Sequence, residues 1–253
     1  MALFLMNTGL SCLAKGKELD TEEVNALFAE SPVEKVPSAP GAYATHLFDS
    51  GLSLIARLPE GNEGEAYLDM HMNGKCLWHV KPVSMVGEPE YLGLSMIASD
   101  MDEENACVLN MVKPALHGPI DTTKDFEVQV CAFPVDLAVY DDREAFEAMV
   151  PEGNRLFDRQ VLPYYYIMAK EERVDEKTRA FMKKNEQLDL FCGSVLAVEK
   201  RENGYKGTSL CVATVATVFG HIDLVYGEGQ VSRPLEKGSY VLASAYVSAE
   251  IVS

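Results

Sequence analysis

Three residues of the types that form the catalytic group of a cysteine-dependent enzyme lie close together in the sequence: Asp69, His71 and Cys76. An Asn-Gly pair at 73–74 separates two runs of alternating side chains, which predicts a β-hairpin with a type I′ turn. In that hairpin the three side chains share one face, with His71 across from Cys76. An imidazole lowers the pKa of a neighbouring thiol, and a carboxylate orients the imidazole. One hypothesis is therefore a catalytic group, and the alternative is a half-buried sheet face around a hydrogen-bonded histidine.

The histidines and acidic residues do not have the spacing of a metal site. His71, Cys76 and His79 are zinc ligands by type, but the predicted hairpin puts His79 on the opposite face from the other two. The acidic run at 100–104 lacks the glycine and the glutamate that a calcium loop has at its sixth and twelfth positions. The sequence therefore predicts neither a metal site nor a cofactor.

Two other groups of residues are binding candidates. His221 and Asp223 are two apart on a predicted strand, where they could relay a proton or simply form the exposed side of that strand. Tyr164, Tyr165 and Tyr166 could stack on nucleic-acid bases, although adjacent aromatic residues also anchor one layer of a protein to another. Neither phosphate-binding glycine motifs nor Gly-x-Ser-x-Gly nor His-Glu-x-x-His is present, so strong signs of catalysis are lacking.

The elements that must hold these candidates are mostly predicted strands. Two short helices are predicted at 21–31 and 141–150, within a mixed α+β region of residues 1–150. A stretch rich in Lys and Glu favours a helical connector over 151–189. Nearly all of 190–253 alternates as strands do, so the predicted fold class is α+β and strand-dominated. No internal repeat is predicted.

The C-terminal stretch has short strands at regular spacing, with turns at Asn203-Gly204 and at Gly238. A further glycine, Gly220, interrupts a long run, which is typical of a bend or bulge in a strongly curved antiparallel barrel. In this pattern residues 191–253 resemble an OB-fold, which implies a small β-barrel more than any one function. The alternative is one continuous domain in which the last strands join the earlier sheet.

The net charge of −17 over 253 residues is unevenly distributed. Five basic residues stand against six acidic ones in 190–253, so nearly all of the negative charge falls on residues 1–189. Such a field repels phosphate groups, which argues against nucleic acid and anionic membranes as main partners. It permits a basic protein partner, and it also keeps a protein soluble.

Targeting patterns and cysteines both indicate the cytoplasm. No run of 18 apolar residues is present, so no membrane span is predicted. The apolar segment 1–6 has no basic residue before it and stops at Asn7, unlike a secretory signal. Six cysteines without a Cys-x-x-Cys pair are typical of small buried residues in a reducing compartment.

These observations favour a non-enzymatic binding or protein-interaction protein with an acidic surface. One version is an acidic partner that masks a basic protein. Two alternatives stay open: a cysteine-dependent hydrolase or transferase that uses Asp69, His71 and Cys76, and a single-strand nucleic-acid binding protein that uses the C-terminal barrel. The oligomeric state is not predicted.

Overall fold

The computed structural model is strand-dominated, with 58% strand and 10% helix, and its strands form two sheets. This agrees with the predicted strand-dominated α+β class. The α-helices of the described residues are α1 (Thr21–Phe28) and α2 (Arg143–Met149). The structure describes residues 21–37, 40–60, 67–88, 92–150, 161–163 and 187–252.

Both helices begin where the sequence supplies carboxylates. Glu22 and Glu23 lie in the first turn of α1, where negative charge suits the helix dipole. The side chain of Asp142 caps α2 by accepting a hydrogen bond from the Ala145 N–H at 2.8 Å. Phe146 is fully buried and holds α2 against the second sheet.

The first sheet is antiparallel and contains β1 to β4 in chain order. These strands span Val33–Lys35, Gly41–Leu47, Leu52–Pro59 and Tyr67–Met72. The sheet is buried on both faces, because Leu54 and Met70 pack into one hydrophobic cluster and Tyr43 and Ile55 pack into another. Strand β4, at the edge of this sheet, contacts β8 and β13 of the second sheet.

The second sheet contains the remaining strands. It includes β5 (Leu77–Glu88), β6 (Gly93–Ser99), β7 (Ala106–Met111), β8 (Phe126–Tyr140), β9 (Leu162–Pro163), β10 (Leu188–Glu202), β11 (Ser209–Thr217), β12 (Gly220–Tyr226) and β13 (Tyr240–Ile251). The acidic run at 100–104 lies in the turn between β6 and β7. The four strands after residue 187 also match the predicted runs to within a few residues.

Strands β8 and β13 pair with each other along nearly their whole length and form a central ribbon. Strands β5, β6 and β7 form a closed series of paired strands with this ribbon, because β5 pairs with β8 and β7 pairs with β13. We call such a closed series a circuit. Strands β10, β11 and β12 close a second circuit, with β10 against β13 and β12 against β8. The strands of 190–253 therefore complete their circuit only through β8.

The two circuits repeat one topology with approximate two-fold symmetry. Strands β5 to β8 correspond in order to β10 to β13: the first strand of each set is antiparallel to its own fourth, and the third is parallel to the fourth of the other set. The strand registers of the two circuits coincide when the β8–β13 ribbon is rotated by half a turn about the pair Ala132–Val247. Each first strand also has a bulge at the equivalent place, after Pro82 and after Val195. This repeat is not visible in the sequence, because equivalent residues differ in type.

The predicted hairpin at 73–74 is wrong. Strand β4 pairs with β3, whereas β5 pairs with β6 and β8, so residues 73–76 connect one sheet to the other. Neither Asn73 nor Gly74 has the positive φ that a type I′ turn requires. Glycine is needed at 74 for a close approach instead, since a Cβ there would lie 2.1 Å from Oδ2 of Asp223.

The last strand joins the earlier ones, because β13 pairs with both β7 and β8. The predicted domain boundaries at 150 and 190 remain predictions. Most of the predicted connector, 151–189, lies outside the described residues. The cysteines within the described part are all buried and free of disulfides: Cys76, Cys107, Cys131, Cys192 and Cys211.

Candidate functional site

His71 of β4 is buried against the central ribbon and uses both ring nitrogens. Its Nε2 lies 2.5 Å from Oε1 of Gln129, and its Nδ1 lies 2.9 Å from Oγ of Ser248. The amide nitrogen of Gln129 donates to the carbonyls of Met72 and Val130, which leaves Oε1 as an acceptor. Nε2 of His71 therefore donates to Gln129, and in the neutral imidazole Nδ1 accepts a hydrogen bond from the Ser248 hydroxyl.

The thiol that the structure brings to His71 is Cys131, with Sγ 3.7 Å from Nδ1. Burial raises the pKa of Cys131 to about 12. Burial also lowers the pKa of His71, although the Glu250 carboxylate 3.7 Å from Nε2 opposes that shift. At neutral pH the pair is a neutral thiol beside a neutral imidazole, which lacks the thiolate that a cysteine nucleophile needs.

Cys76 lies next to Asp223 of β12, and its predicted place across from His71 depended on the hairpin that does not form. Burial, followed by the negative charge of Asp223, raises the pKa of Cys76 to about 12. In the structure, therefore, the direct polar partner of Cys76 is Asp223, whereas those of His71 are Gln129, Ser248 and Cys131.

Asp69, the third predicted member, forms a buried ion pair with Arg57. Nε of Arg57 lies 2.9 Å from Oδ2 of Asp69, and a second guanidinium nitrogen donates to Oδ1 at 3.1 Å. The hydroxyl of Tyr246 donates to the same carboxylate at 3.4 Å. These contacts tie β3, β4 and β13 together, so the carboxylate is engaged in packing rather than directed at His71.

His221 and Asp223 share a strand face as predicted, but their exposure differs. His221 is exposed, whereas Asp223 is buried beneath the 73–76 connection and accepts a hydrogen bond from Thr214 Oγ1 at 3.1 Å. The intervening Ile222 and the following Leu224 point into the core. Tyr164, Tyr165 and Tyr166 lie outside the described residues.

Within the ranges that the structure describes, no group of three or more His, Cys, Asp or Glu residues could hold a metal ion. None of the helices in those ranges has the length and apolar character to cross a membrane.

An open cleft of about 630 Å³ lies beside the middle of β5. We call it the β5 cleft. Three segments line it: residues 81–83 of β5, the β6–β7 turn with its flanking residues, and the segment 122–125 that leads into β8. The acidic run at 100–104 gave no sign in the sequence of a cleft at this place.

The β5 cleft carries negative charge that the described cations do not neutralise. Nζ of Lys81 lies 3.2 Å from Glu103 and donates to the carbonyl of Met101 at 2.9 Å, so the positive charge of Lys81 is already engaged. Glu104 and Asp125 are exposed in the lining, and no described Lys or Arg pairs with either.

Asn105 adds an unsatisfied acceptor to the same lining. Its amide nitrogen donates to Asp100 at 2.5 Å, which fixes the orientation of the amide. Its Oδ1 is buried and has no hydrogen-bond partner among the described residues. Buried acceptors of this kind are rare in native proteins, and this one is too enclosed to be reached from the β5 cleft.

One strand edge next to the cleft has no partner among the strands that the structure describes. Strand β8 begins at Phe126, opposite Val80, so β5 has β6 as its only partner among the described strands from residue 81 onward. We call residues 82–87 the β5 edge. It contains no charged residue, and Val83 and Val86 are 56% and 59% exposed. An uncharged, exposed edge strand is a surface on which another chain can pair.

Comparisons of the chain with protein-family models, with curated proteins and with solved structures found no match. Function is therefore inferred from the β5 cleft, the β5 edge and the buried polar groups themselves.

Proposed function

We propose that this protein is a non-enzymatic binding protein whose partner is a basic protein. The observation that carries the proposal is the pair of exposed carboxylates in the β5 cleft, Glu104 and Asp125, which no described cation neutralises. Complementary charge speeds association and selects partners, so a Lys- or Arg-bearing segment suits this surface. The net charge of −17 adds a long-range attraction for the same class of partner.

The buried polar groups support a binding role over catalysis. Ser248, His71 and Gln129 are arranged like a nucleophile, a base and an orienting group. However, Ser248 and His71 are each only 1% exposed, so a substrate cannot reach them. Such a satisfied network rigidifies a packed core. The cysteine-dependent alternative needs a thiolate, and the raised pKa values of Cys76 and Cys131 oppose it.

We also propose that the circuit of β10, β11, β12, β8 and β13 is an OB-like barrel. Five strands in a closed circuit of pairing support this assignment. In this proposal the fifth strand comes from 126–140, outside the stretch whose pattern resembles an OB-fold. The assignment concerns architecture, and the binding proposal does not depend on it.

The binding proposal is tested with a fluorescein-labelled octapeptide of alternating valine and lysine, read by fluorescence anisotropy. We expect it to bind the full chain at low salt and to bind far more weakly at about 0.5 M salt, where the Debye length is only a few ångströms. A valine–glutamate octapeptide should not bind. The double variant E104Q/D125N should weaken binding about tenfold, which corresponds to about 1.4 kcal/mol.

The matched control is D136N/E236Q, which removes two exposed carboxylates outside the β5 cleft. It changes the net charge by the same amount, so it should have little effect on binding. Equal weakening by both double variants, or equal binding of the glutamate peptide, would overturn the proposed site.

A further inference from the structure

We infer that the β5 edge takes up an extended segment of the basic partner as an added β-strand, with a lysine or arginine of that segment in the β5 cleft. The inference rests on the proposed function and specifies its binding mode. Strand addition obtains affinity from main-chain hydrogen bonds and specificity from alternate side chains.

The edge is available because the neighbouring strand stops short. Pairing of β5 with β8 covers residues 77–80, and pairing with β6 covers residues 81–88. In the second circuit, Ser194 pairs with both β13 and β11, which places those two partners on opposite edges of β10. By the same topology β8 and β6 lie on opposite edges of β5, so the edge that β8 leaves at residue 81 has no partner among the described strands.

The equivalent edge of β10 is lined with charged side chains, whereas the β5 edge has only Pro82 and the bulge to limit pairing. The outer part of β10 carries four charged residues in succession: Glu199, Lys200, Arg201 and Glu202. Charged side chains on an edge strand are a common protection against pairing with another chain. The β5 edge lacks them, and its bulge exposes Val83, the equivalent of Leu196 in β10.

The lining of the cleft defines the chemistry of the occupant. Residues 81–83 belong both to β5 and to the β5 cleft, so a strand that pairs there runs past Glu104 and Asp125. Side chains of an added strand alternate between its two faces. Basic residues at alternate positions of such a strand can reach the carboxylates, while the apolar residues between them add β-strand propensity. Pro82 has no N–H, so it can take part in main-chain pairing only through its carbonyl oxygen.

The experiment separates strand addition from attraction of charge. Two versions of the valine–lysine octapeptide are made, one N-methylated at every valine and the other at every lysine. In an added strand alternate N–H groups point to the protein, so one methylated peptide should lose affinity at least about tenfold while the other keeps it. Anisotropy with the full chain measures both.

A protein variant supplies an independent measurement. V83K places a positive charge on the β5 edge and should weaken binding of the unmethylated peptide about tenfold. L196K changes the equivalent bulge residue of β10 and should leave binding unchanged. Unchanged midpoints of thermal unfolding show that both variants are folded.

The outcomes distinguish the two proposals. If both methylated peptides bind alike and V83K binds like L196K, strand addition is wrong while the basic-partner proposal stands. If the unmethylated peptide does not bind at low salt, the basic-partner proposal fails and the inference fails with it.

Discussion

Strands β5 and β10 begin the two circuits of the second sheet in the same way, yet they differ where they leave the central ribbon. Each pairs first with the ribbon, then bulges, and then pairs with the next strand of its own circuit. Past the bulge, β10 carries four charged residues in succession, whereas β5 carries only Glu88, its last residue. Because both strands play the same part in the fold, the fold does not require this difference. The lack of charged side chains on the β5 edge is therefore the feature that most needs a functional explanation.

Inside the molecule the two circuits are more alike. Trp78 of β5 and Phe191 of β10 occupy equivalent positions, opposite Val128 and Ala243 of the ribbon. Both aromatic residues are 2% exposed and belong to one hydrophobic cluster. The shared cluster implies that the circuits unfold together, although the sequence analysis predicts a separate C-terminal domain.

The largest expected effect tests that implication. W78A and F191A should each lower the free energy of unfolding by about 3–5 kcal/mol, since each leaves a large cavity in a shared core. Trp78→Ala should cost more, because Trp78 Nε1 also donates to the carbonyl of His221 at 2.8 Å. Calorimetry should show one transition that moves to lower temperature in both variants.

W78F serves as the control for the first variant, because it retains an aromatic ring and should cost less than W78A. Two separate transitions, with each variant shifting only one, would mean that the circuits unfold independently. In that case the predicted domain at 190–253 would be supported.

The circuits also differ at a buried carboxyl group. Asp189 and Cys76 occupy equivalent positions, one residue before the pairs Leu190–Ser244 and Leu77–Gln129. Asp189 is fully buried, and its two oxygens accept the Val108 N–H at 3.0 and 3.3 Å. No described cation pairs with it. Burial raises the pKa of Asp189 well above its ordinary value, against the smaller effect of the Val108 hydrogen bond.

The raised pKa gives stability a definite dependence on pH. The stabilising contribution of protonated Asp189 is present below the pKa of an unfolded aspartate, about 3.9, and is lost as the pH rises through the raised folded-state pKa. D189N has no charge to bury. Its free energy of unfolding relative to the wild type should therefore rise by about 1–3 kcal/mol between about pH 4 and pH 8, measured by urea unfolding.

D136N is the control for this experiment, because Asp136 is exposed and its replacement should leave the pH dependence unchanged. Parallel curves for D189N and the wild type would mean that folding does not raise the pKa of Asp189.

Local pattern predicted the strands, but it could not predict their partners. The alternating runs on either side of 73–74 are real strands, β4 and β5. The Asn-Gly pair suggested that they pair with each other, whereas they belong to different sheets, because turn propensity carries no information on distant partners. The predicted hairpin therefore places His71 opposite Cys76. In the structure the thiol beside His71 belongs to Cys131, which is 60 residues away in the sequence.

The repeat escaped prediction for a related reason. Strand topology needs only alternating inward and outward side chains, so equivalent positions can hold quite different residues. On the ribbon, the pairs Cys131–Ser248 and Phe133–Tyr246 are equivalent by register and share no residue type. The six uncharged residues of the β5 edge are visible in the sequence of this acidic chain. Their lack of a strand partner depends on the fold, so the sequence alone could not identify them as an edge.

The smallest expected effect sharpens the comparison of the two edges. V83K and L196K should each change the free energy of unfolding by less than about 0.5 kcal/mol in urea unfolding, because both residues are exposed bulge positions. Equal, small effects would support the view that both edges face solvent and differ only in what they can bind. A loss of more than about 1 kcal/mol for V83K alone would mean that Val83 packs against part of this chain outside the described residues. The β5 edge would then be an internal interface, and a peptide could bind there only by displacing that part.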